Sequence, residues 1–459
     1  MNAPQSPLNK VRAAKLELYR NKGKIHPRAV RGRFSRLRWS LVWATQLVFF
    51  GACWLTWQGR PALLFDIQQE KFHLFGLTLW PQDALLLAIA LILAATGLFL
   101  VTALAGRLFC GFLCPQTVYT AIFTWIEAKV EGDHLARLRL EQSPWTPRKL
   151  ALRTVKHGLW LLFSAWTAIT FVGYFTPIRE LLGALGHGHI GPWQGFWLGF
   201  YALFTYLQAG FAREAVCQHM CPYSRFQGVM YDPATRSVSY DATRGEPRGR
   251  PAPGQKGGDC VDCGICVEVC PTGIDIRQGL QYQCINCGLC IDACDQVMAR
   301  TGKPAGLIRI ASPLELAGRA APGHRPRLAV YGGLILLFLG LGTWTALERP
   351  DLRVDVLRDR GALSRETPEG RIENAYTLRL ANLAERPRQL EVSVAGLPGL
   401  SLVGASRFTT APGSVRTIQV TVSAPAEAAP RGSRPIVFQI QPQEGGQSLI
   451  KEKSTFVHL

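Results

Sequence analysis

Long apolar segments without charge alternate along this chain with segments rich in Arg and Lys. Five charge-free windows reach about 20 residues or more, the length that a membrane-spanning helix needs. They are residues 39–59, 84–106, 157–178, 181–212 and 328–347. One such run would equally suit a buried helix of a soluble protein. Five of them predict a multi-pass membrane protein.

After the last window the pattern changes to strict alternation of apolar and polar residues. About a hundred residues of short alternating segments, separated by Pro and Gly turns, predict an all-β sandwich of immunoglobulin type. The segment contains no cysteine, so no disulfide holds it together. Its predicted inward-facing residues are Tyr376, Leu378 and Leu380, then Leu390, Val392 and Val394, then Ile418, Val420 and Val422, and finally Ile436, Phe438 and Ile440.

The charge balance predicts which way the chain crosses the membrane. The sequence has 51 Lys and Arg against 32 Asp and Glu, a net charge of +19. Basic residues concentrate before the first window, in 107–156 and in 213–327, and are scarce in 60–83 and 179–191. Cytoplasmic segments carry such an excess. The charges flank membrane segments without any nucleic-acid-binding motif, so no nucleic-acid partner is expected.

These patterns divide the chain into five parts. Membrane lipid surrounds the helices, and the C-terminal domain lies outside the cytoplasm. The parts are a basic cytoplasmic arm (1–38), four transmembrane helices forming two hairpins (39–212), a cytoplasmic ferredoxin segment with a linker (213–327), a fifth transmembrane helix (328–347) and an immunoglobulin-like domain (348–459).

Eight of the 13 cysteines occur in two copies of the frame C-x2-C-x2-C-x3-C. This spacing is typical of bacterial ferredoxins with two [4Fe–4S] clusters, in which the fourth Cys of each frame binds the other cluster. Zinc fits two consecutive triple-Cys frames poorly, and disulfides are disfavoured in a cytoplasmic segment. The predicted ligands are Cys260, Cys263, Cys266 and Cys294 for cluster one, and Cys284, Cys287, Cys290 and Cys270 for cluster two.

Four further cysteines form two copies of a C-x3-C-P motif, each following a predicted span that returns to the cytoplasm. Residues i and i+4 share one face of a helix, so each pair could present two sulfurs together. Soft sulfur ligands suit Cu(I), zinc or an iron–sulfur centre, whereas isolated helical cysteines often only fill apolar space. These CxxxCP cysteines are Cys110, Cys114, Cys217 and Cys221, with His219 and Met220 as further candidate metal ligands.

The combination of these features resembles the FixG/CcoG (RdxA) family of cytochrome c oxidase accessory proteins. The resemblance includes the stretches 27–30, 75–83 and 173–180, both C-x3-C-P motifs, the ferredoxin frames and the outer β-domain. It implies an inner-membrane factor that helps to mature cbb3-type oxidases by reducing Cu(II) to Cu(I), and hence an oxidoreductase acting as a cupric reductase.

On this interpretation a cytoplasmic donor supplies electrons, and the copper-reduction site is the group of CxxxCP cysteines. Copper chaperones or transporters and oxidase assembly factors are the expected partners, and a homodimer is left open. Two other functions stay open: a quinol-linked electron-transfer subunit of a periplasmic reductase system, and a redox-sensing assembly scaffold.

Overall fold

The structure is a computed structural model that describes residues 25–249, 257–320, 322–359, 364–384, 386–443 and 449–458. The part of the predicted basic arm before residue 25 lies outside the described residues. The chain forms two compact units, one up to Gly342 and one from Thr343 onward.

Helices dominate the chain up to residue 347. In chain order they are α1 Arg33–Ala52, α2 Ala84–Ala105, α3 Leu108–Phe112, α4 Pro115–Glu131, α5 His134–Gln142, α6 Pro147–Val172, α7 Ile178–His187, α8 Pro192–Leu207, α9 Arg213–Ala215, α10 Pro222–Val229, α11 Ala242–Gly245, α12 Ile265–Glu268, α13 Leu289–Arg300, α14 Pro313–Leu316 and α15 Pro326–Leu347. The π-helices Gln208–Ala212 and Val216–Met220 flank α9, and 3₁₀ turns occupy Pro81–Asp83 and Ile276–Gln278.

Four helical segments in the described residues are long and apolar enough to cross a membrane: Ala84–Ala105, Leu108–Glu131, Pro147–Val172 and Pro326–Leu347. Three of them overlap the predicted windows 84–106, 157–178 and 328–347. The predicted number of five spans is therefore not confirmed, although several apolar helices are present.

The two remaining windows differ from prediction for local reasons. In window 39–59 the helix ends at Ala52 and strand residues Thr56–Trp57 follow, while its first turns carry Arg33 and Arg36. Window 181–212 is divided, because a loop separates α7 from α8 and α8 continues into a π-helix. Segment Leu108–Glu131, by contrast, is apolar enough to span a membrane, although the charge pattern predicts that it belongs to a cytoplasmic loop.

A buried group of charges joins α4 to α6 and α9. Glu127 is fully buried, and its Oε2 lies 2.8 Å from Arg213 Nη2. Lys156 Nζ lies 2.9 Å from Glu131 Oε1 and 3.6 Å from Glu127 Oε1. Buried charges need partners of opposite sign, and this arrangement lets an otherwise apolar helix carry two carboxylates inside the bundle.

The N-terminal arm packs against the ferredoxin segment and α5. The backbone N–H of Arg28 donates to Glu268 O at 2.8 Å. His26 Nε2 lies 2.6 Å from Glu141 Oε2, and Arg137 Nη2 donates to Pro27 O at 2.8 Å. The described part of the arm is therefore on the same side of the helices as the cysteine frames.

Short strands accompany the helical unit. Between α1 and α2 lie β1 Thr56–Trp57, β2 Arg60–Pro61, β3 Leu63–Asp66, β4 Lys71–Leu74 and β5 Leu77–Leu79. In the ferredoxin segment β6 Ser237–Tyr240 pairs antiparallel with β7 Ile308–Ala311. This pair packs with α13 in one apolar core that includes Val238, Met298 and Ile308.

The C-terminal unit is a β-sandwich, which confirms the predicted fold of this part. One sheet has the order β12-β14-β10-β8, with β9 also paired to β10, and the other has the order β13-β11-β15-β16. The strands are β8 Leu352–Arg358, β9 Arg365–Glu366, β10 Arg371–Asn382, β11 Arg388–Ala395, β12 Ser401–Val403, β13 Arg407–Thr410, β14 Ser414–Pro425, β15 Gly432–Pro442 and β16 Ile450–His458.

The alternation along these strands arises because successive side chains point to opposite faces of a sheet. Leu378 is fully buried and pairs with Ile418 on the neighbouring strand, while Phe438 fills the core from the other sheet. Of the predicted inward-facing residues only Val394 is partly exposed, at the edge of the core.

Candidate electron-transfer site

The two ferredoxin frames adopt the same backbone geometry. In the first frame Asp262 and Gly264 have φ values of 54° and 70°, and in the second Asn286 and Gly288 have values of 60° and 72°. Left-handed backbone favours Gly and tolerates Asn and Asp. The repeat in sequence is thus a repeat in structure, with a helix beginning after each glycine.

The eight cysteines of the frames line two small cavities. Cys260, Cys263, Cys266 and Cys294 line the first, and Cys270, Cys284, Cys287 and Cys290 line the second. Each set combines three cysteines of one frame with the last of the other, which is the arrangement that two [4Fe–4S] clusters require. Cys266 borders both cavities.

These donor sets fit iron–sulfur clusters, and bound clusters would supply one-electron transfer. Burial raises the pKa of Cys266 to about 11 and that of Cys294 to about 12. Metals bind the thiolate form, so loading these sites must release protons.

The two CxxxCP motifs share a local structure that the sequence did not predict. Cys110 lies in α3, which ends at Phe112, and Cys114 is the N-cap of α4. Cys217 lies in a π-helix, and Cys221 is the N-cap of α10. Proline follows each second cysteine because it suits the first position of a new helix. The expectation that each pair occupies one helix face is therefore wrong, since a helix boundary separates its members.

The structure nevertheless brings the four CxxxCP cysteines together. Burial and then the proximity of Cys114, Cys110 and Cys221 raise the pKa of Cys217 to about 12. In the part of the chain that the structure describes, no three His, Cys, Asp or Glu side chains stand close enough to hold a single metal ion. One ion bound here would need some side-chain movement.

The two additional candidate ligands, His219 and Met220, are not buried with the four CxxxCP cysteines. His219 is exposed, and 69% of the Met220 surface is exposed. A glutamine that the sequence did not single out contacts the group, because Cys110 Sγ donates to Gln227 Oε1 at 3.1 Å. Gln227 is fully buried, and its Nε2 has no hydrogen-bond partner among the described residues.

Gly111, inside the first motif, touches the loop of the second cysteine frame. A Cβ atom at this position would lie 2.6 Å from Ile285 O and 3.1 Å from the Cys287 backbone nitrogen. Only glycine allows this approach without displacing the backbone. The backbone of the first CxxxCP motif therefore packs closely against the loop that carries the cluster-two ligand Cys287.

Arg107 links both motifs to the cluster-two loop. Its guanidinium donates to the carbonyl oxygens of Tyr282 and Ser224, and its backbone N–H donates to the Tyr231 hydroxyl at 3.1 Å. The buried positive charge offsets part of the burial penalty on the thiolate forms of Cys217 and Cys284. The sequence does not single out Arg107, because its position before the motif also fits a basic membrane flank.

Asn286 ties the same loop to the end of a membrane helix. Its Nδ2 donates to Ala105 O at 2.8 Å, and its Oδ1 accepts from Val238 N at 2.6 Å. The side chain therefore joins α2, β6 and the second cysteine frame. A signal for this role exists in the sequence, since Asn stands where the first frame has Asp262, but its partners depend on the tertiary fold.

Comparison with known proteins agrees with this architecture. A family model described as a 4Fe–4S dicluster domain matches residues 212–313, and one described as a 4Fe–4S binding domain matches residues 87–131. A third, described as the IG-like fold at the C-terminal of FixG, matches residues 342–458. Fold and site together define a membrane-associated iron–sulfur electron-transfer protein with a C-terminal immunoglobulin-like domain.

Full-length relatives identify the family. The nitrogen fixation protein FixG of Rhizobium meliloti (strain 1021) is 34% identical over 435 residues, which cover 85% of this chain and 83% of that protein. RdxA of Cereibacter sphaeroides is 37% identical over 402 residues, covering 83% and 84%. RdxB of the same organism is 38% identical over 405 residues, covering 84% of each. The chain belongs to the FixG family.

Proposed function

We propose that the protein is a cupric reductase that converts Cu(II) to Cu(I) during assembly of cbb3-type cytochrome c oxidase. One observation carries this proposal: the four CxxxCP cysteines are near enough to influence one another's ionisation, beside the point where Gly111 packs against the backbone of a cluster-two ligand. Electron transfer between the two sites then needs no diffusing carrier.

The substrate reaction is a one-electron step. Each Cu(II) gains one electron and becomes Cu(I), and Cu(I) prefers thiolate and thioether ligands. Cys114 and Cys221 occupy the N-cap positions of α4 and α10, directly before the prolines that begin these helices. These two residues would hold the metal, while Cys110 and Cys217 complete the group.

The topology that we propose has five crossings of a bacterial inner membrane. The arm and the ferredoxin segment touch each other, which supports an even number of crossings between them. Segment Leu108–Glu131 touches the cluster-two loop at its start, through Gly111, and the helix that follows its end contacts the arm through Arg137 and Pro27 O. We therefore count α1, α2, α6 and α8 with its π-extension as the first four crossings.

The orientation that we propose follows from the charge bias, and the expected partners follow from that orientation. The Arg- and Lys-rich arm and ferredoxin segment face the cytoplasm, and the immunoglobulin-like domain faces the periplasm. That domain is available to copper chaperones or transporters and to oxidase assembly factors. Electrons enter from a donor at the cytoplasmic side or in the membrane, and the acceptor takes Cu(I) from the CxxxCP cysteines.

The test measures Cu(II) reduction by protein that has been reduced chemically under anaerobic conditions and freed of excess reductant. The double variant Cys114→Ser/Cys221→Ser should lose at least about tenfold in the rate at which a Cu(I) chelator is coloured, with iron content and the EPR spectrum unchanged. Cys53→Ala is the matched control, because Cys53 is a buried cysteine outside the motifs. Equal rates in the double variant and wild type would refute the proposal.

A second occupant of the CxxxCP group is favoured by one observation. The 4Fe–4S binding-domain match covers Cys110 and Cys114. Two clusters require about eight irons per chain, so iron and sulfide quantification separates the alternatives. A value well above eight that falls in the double variant would identify a third iron–sulfur centre there.

A further inference from the structure

We infer that a cavity among the membrane helices binds the headgroup of a lipid-soluble quinol that supplies the electrons. This inference rests on the electron-transfer function proposed above and names its donor. The cavity has a volume of about 490 Å³ and lies between α1, α4, α6 and α8. Pockets for small ligands typically have volumes of about 300–1,000 Å³.

The lining of the cavity matches a neutral aromatic ring with polar substituents. None of its described lining residues is charged, and several are aromatic, including Phe49, Phe171 and Phe204. Ionised ligands are therefore disfavoured, since a charge would lose its hydration without gaining a partner. A quinol headgroup is uncharged and buries a large apolar face.

A small set of polar groups suits the quinol hydroxyls. Gln46 is 6% exposed, and its Oε1 has no hydrogen-bond partner among the described residues. A buried acceptor without a donor is costly, and a quinol O–H would supply that donor. Tyr119 and Thr167 line the same cavity, and the Tyr119 side chain interacts with both Thr167 and Gln46. They offer hydroxyl groups for the second oxygen of the ring.

The surroundings give access from the bilayer. Phe204 forms part of the wall and is 49% exposed. Leu47 and Val48, next to Gln46 on α1, are 75% and 64% exposed. Exposed apolar side chains on membrane helices face lipid, so an isoprenoid tail can remain in the bilayer while the headgroup enters.

The cavity also lies next to the redox site. Leu113 and Pro115 line it, and these residues flank Cys114. Gly111, two residues earlier, touches Cys287. Quinol oxidation breaks two O–H bonds and gives quinone, two protons and two electrons. The protons pass to water, and the electrons pass to the two one-electron [4Fe–4S] acceptors held by the eight frame cysteines.

Binding is tested with decylubiquinone, a short-tailed quinone, by calorimetric titration of the full-length protein in detergent. Gln46→Leu should weaken the affinity about tenfold, the loss expected for a buried hydrogen bond to a ligand. Thr45→Val is the matched control, because Thr45 lines the same cavity but its hydroxyl already donates within α1. The inference would be overturned if Gln46→Leu bound decylubiquinone as tightly as Thr45→Val does, or if wild type did not bind it.

Electron donation is measured separately from copper reduction. Decylubiquinol should bleach the iron–sulfur absorbance of anaerobic wild-type protein, and about tenfold more slowly in Gln46→Leu. Chemically reduced Gln46→Leu should still reduce Cu(II) at the wild-type rate. If the protein binds quinone but its iron–sulfur absorbance is not bleached, quinol is not the donor. The copper-reduction rates of the cysteine variants test only the proposed function and leave the quinol inference unaffected.

Discussion

The carboxylate of Asp292 accepts a hydrogen bond from the backbone N–H of Ser35 at 2.7 Å, although the two residues are 257 positions apart. Its other oxygen accepts from Phe34 N at 3.1 Å. Asp292 lies between the cluster ligands Cys290 and Cys294, and Ser35 lies in the first turn of α1. A residue of the ferredoxin segment thus satisfies two of the free N–H groups at the start of α1.

Removing this cap should destabilise the protein. We expect Asp292→Ala to lower the free energy of unfolding by about 1–2 kcal/mol, as for other N-cap losses. Thermal unfolding in detergent, followed by tryptophan fluorescence, measures the effect. Asp292→Asn keeps an acceptor oxygen and should lose less; equal loss in both variants would show that the negative charge, and not the hydrogen bond, is what matters.

The close packing of Gly111 against Cys287 should make this position intolerant of a larger side chain. Gly111→Ala should push the cluster-two loop away, at a cost of about 1–3 kcal/mol typical of overpacking, and reduce the iron retained per chain. Gly158→Ala is the control, because a Cβ at Gly158 meets no atom within 4 Å. Iron analysis and EPR of both purified variants provide the measurement, and full iron content in Gly111→Ala would contradict a tight contact.

Neutralising the buried charge of Glu127 should lower the free energy of unfolding much more than neutralising an exposed charge. Glu127→Gln leaves Arg213 and Lys156 partly uncompensated, and we expect a loss of about 3–5 kcal/mol. Glu268→Gln breaks an exposed pair with Arg28 and should cost about 1 kcal/mol or less. The unfolding midpoints of the two variants in the same detergent decide the matter, and similar midpoints would argue against a buried network.

A pH dependence is expected from the pair of Asp232 and Arg325. Burial alone would raise the pKa of Asp232, but hydrogen bonds from Arg325, Ala234 N and Thr235 outweigh it and hold that pKa below its ordinary value. A carboxylate with a lowered folded-state pKa stabilises the fold above its unfolded pKa of about 3.9, and this contribution is lost as the pH falls through the folded value.

Wild type should therefore be more stable than Asp232→Asn at about pH 7, and the difference should shrink below about pH 4. Thermal unfolding of both proteins over this range, compared at each pH, tests the linkage. A difference that stays constant down to acid pH would show that the ionisation of Asp232 contributes nothing.

Local patterns predicted the β-sandwich and the two cysteine frames because both signals are contained in short stretches. Alternation alone identifies the buried side of β10, and spacing alone identifies the sets that include Cys260 and Cys284. The helix break inside each CxxxCP motif was also present locally, since Pro115 and Pro222 favour a helix start.

Other parts of the site depend on contacts that no local pattern contains. Arg107 resembles any basic residue at the end of a span until Tyr282 and Ser224 are placed beside it. The role of segment Leu108–Glu131 is equally hard to predict, because an apolar helix can pack against another helix such as α6 or face lipid, and its sequence does not distinguish the two. The burial of Glu127 in this segment is explained only by its ion pair with Arg213, which is 86 residues away in the sequence.

The separation between Asp292 and Ser35 also sets an order of biogenesis. Synthesis proceeds from the N-terminus, so α1 leaves the ribosome long before the residue that caps it. Until the segment between Cys290 and Cys294 has folded, the backbone N–H groups of Phe34 and Ser35 lack this acceptor. Folding of the second cysteine frame therefore completes the start of a helix made much earlier in synthesis.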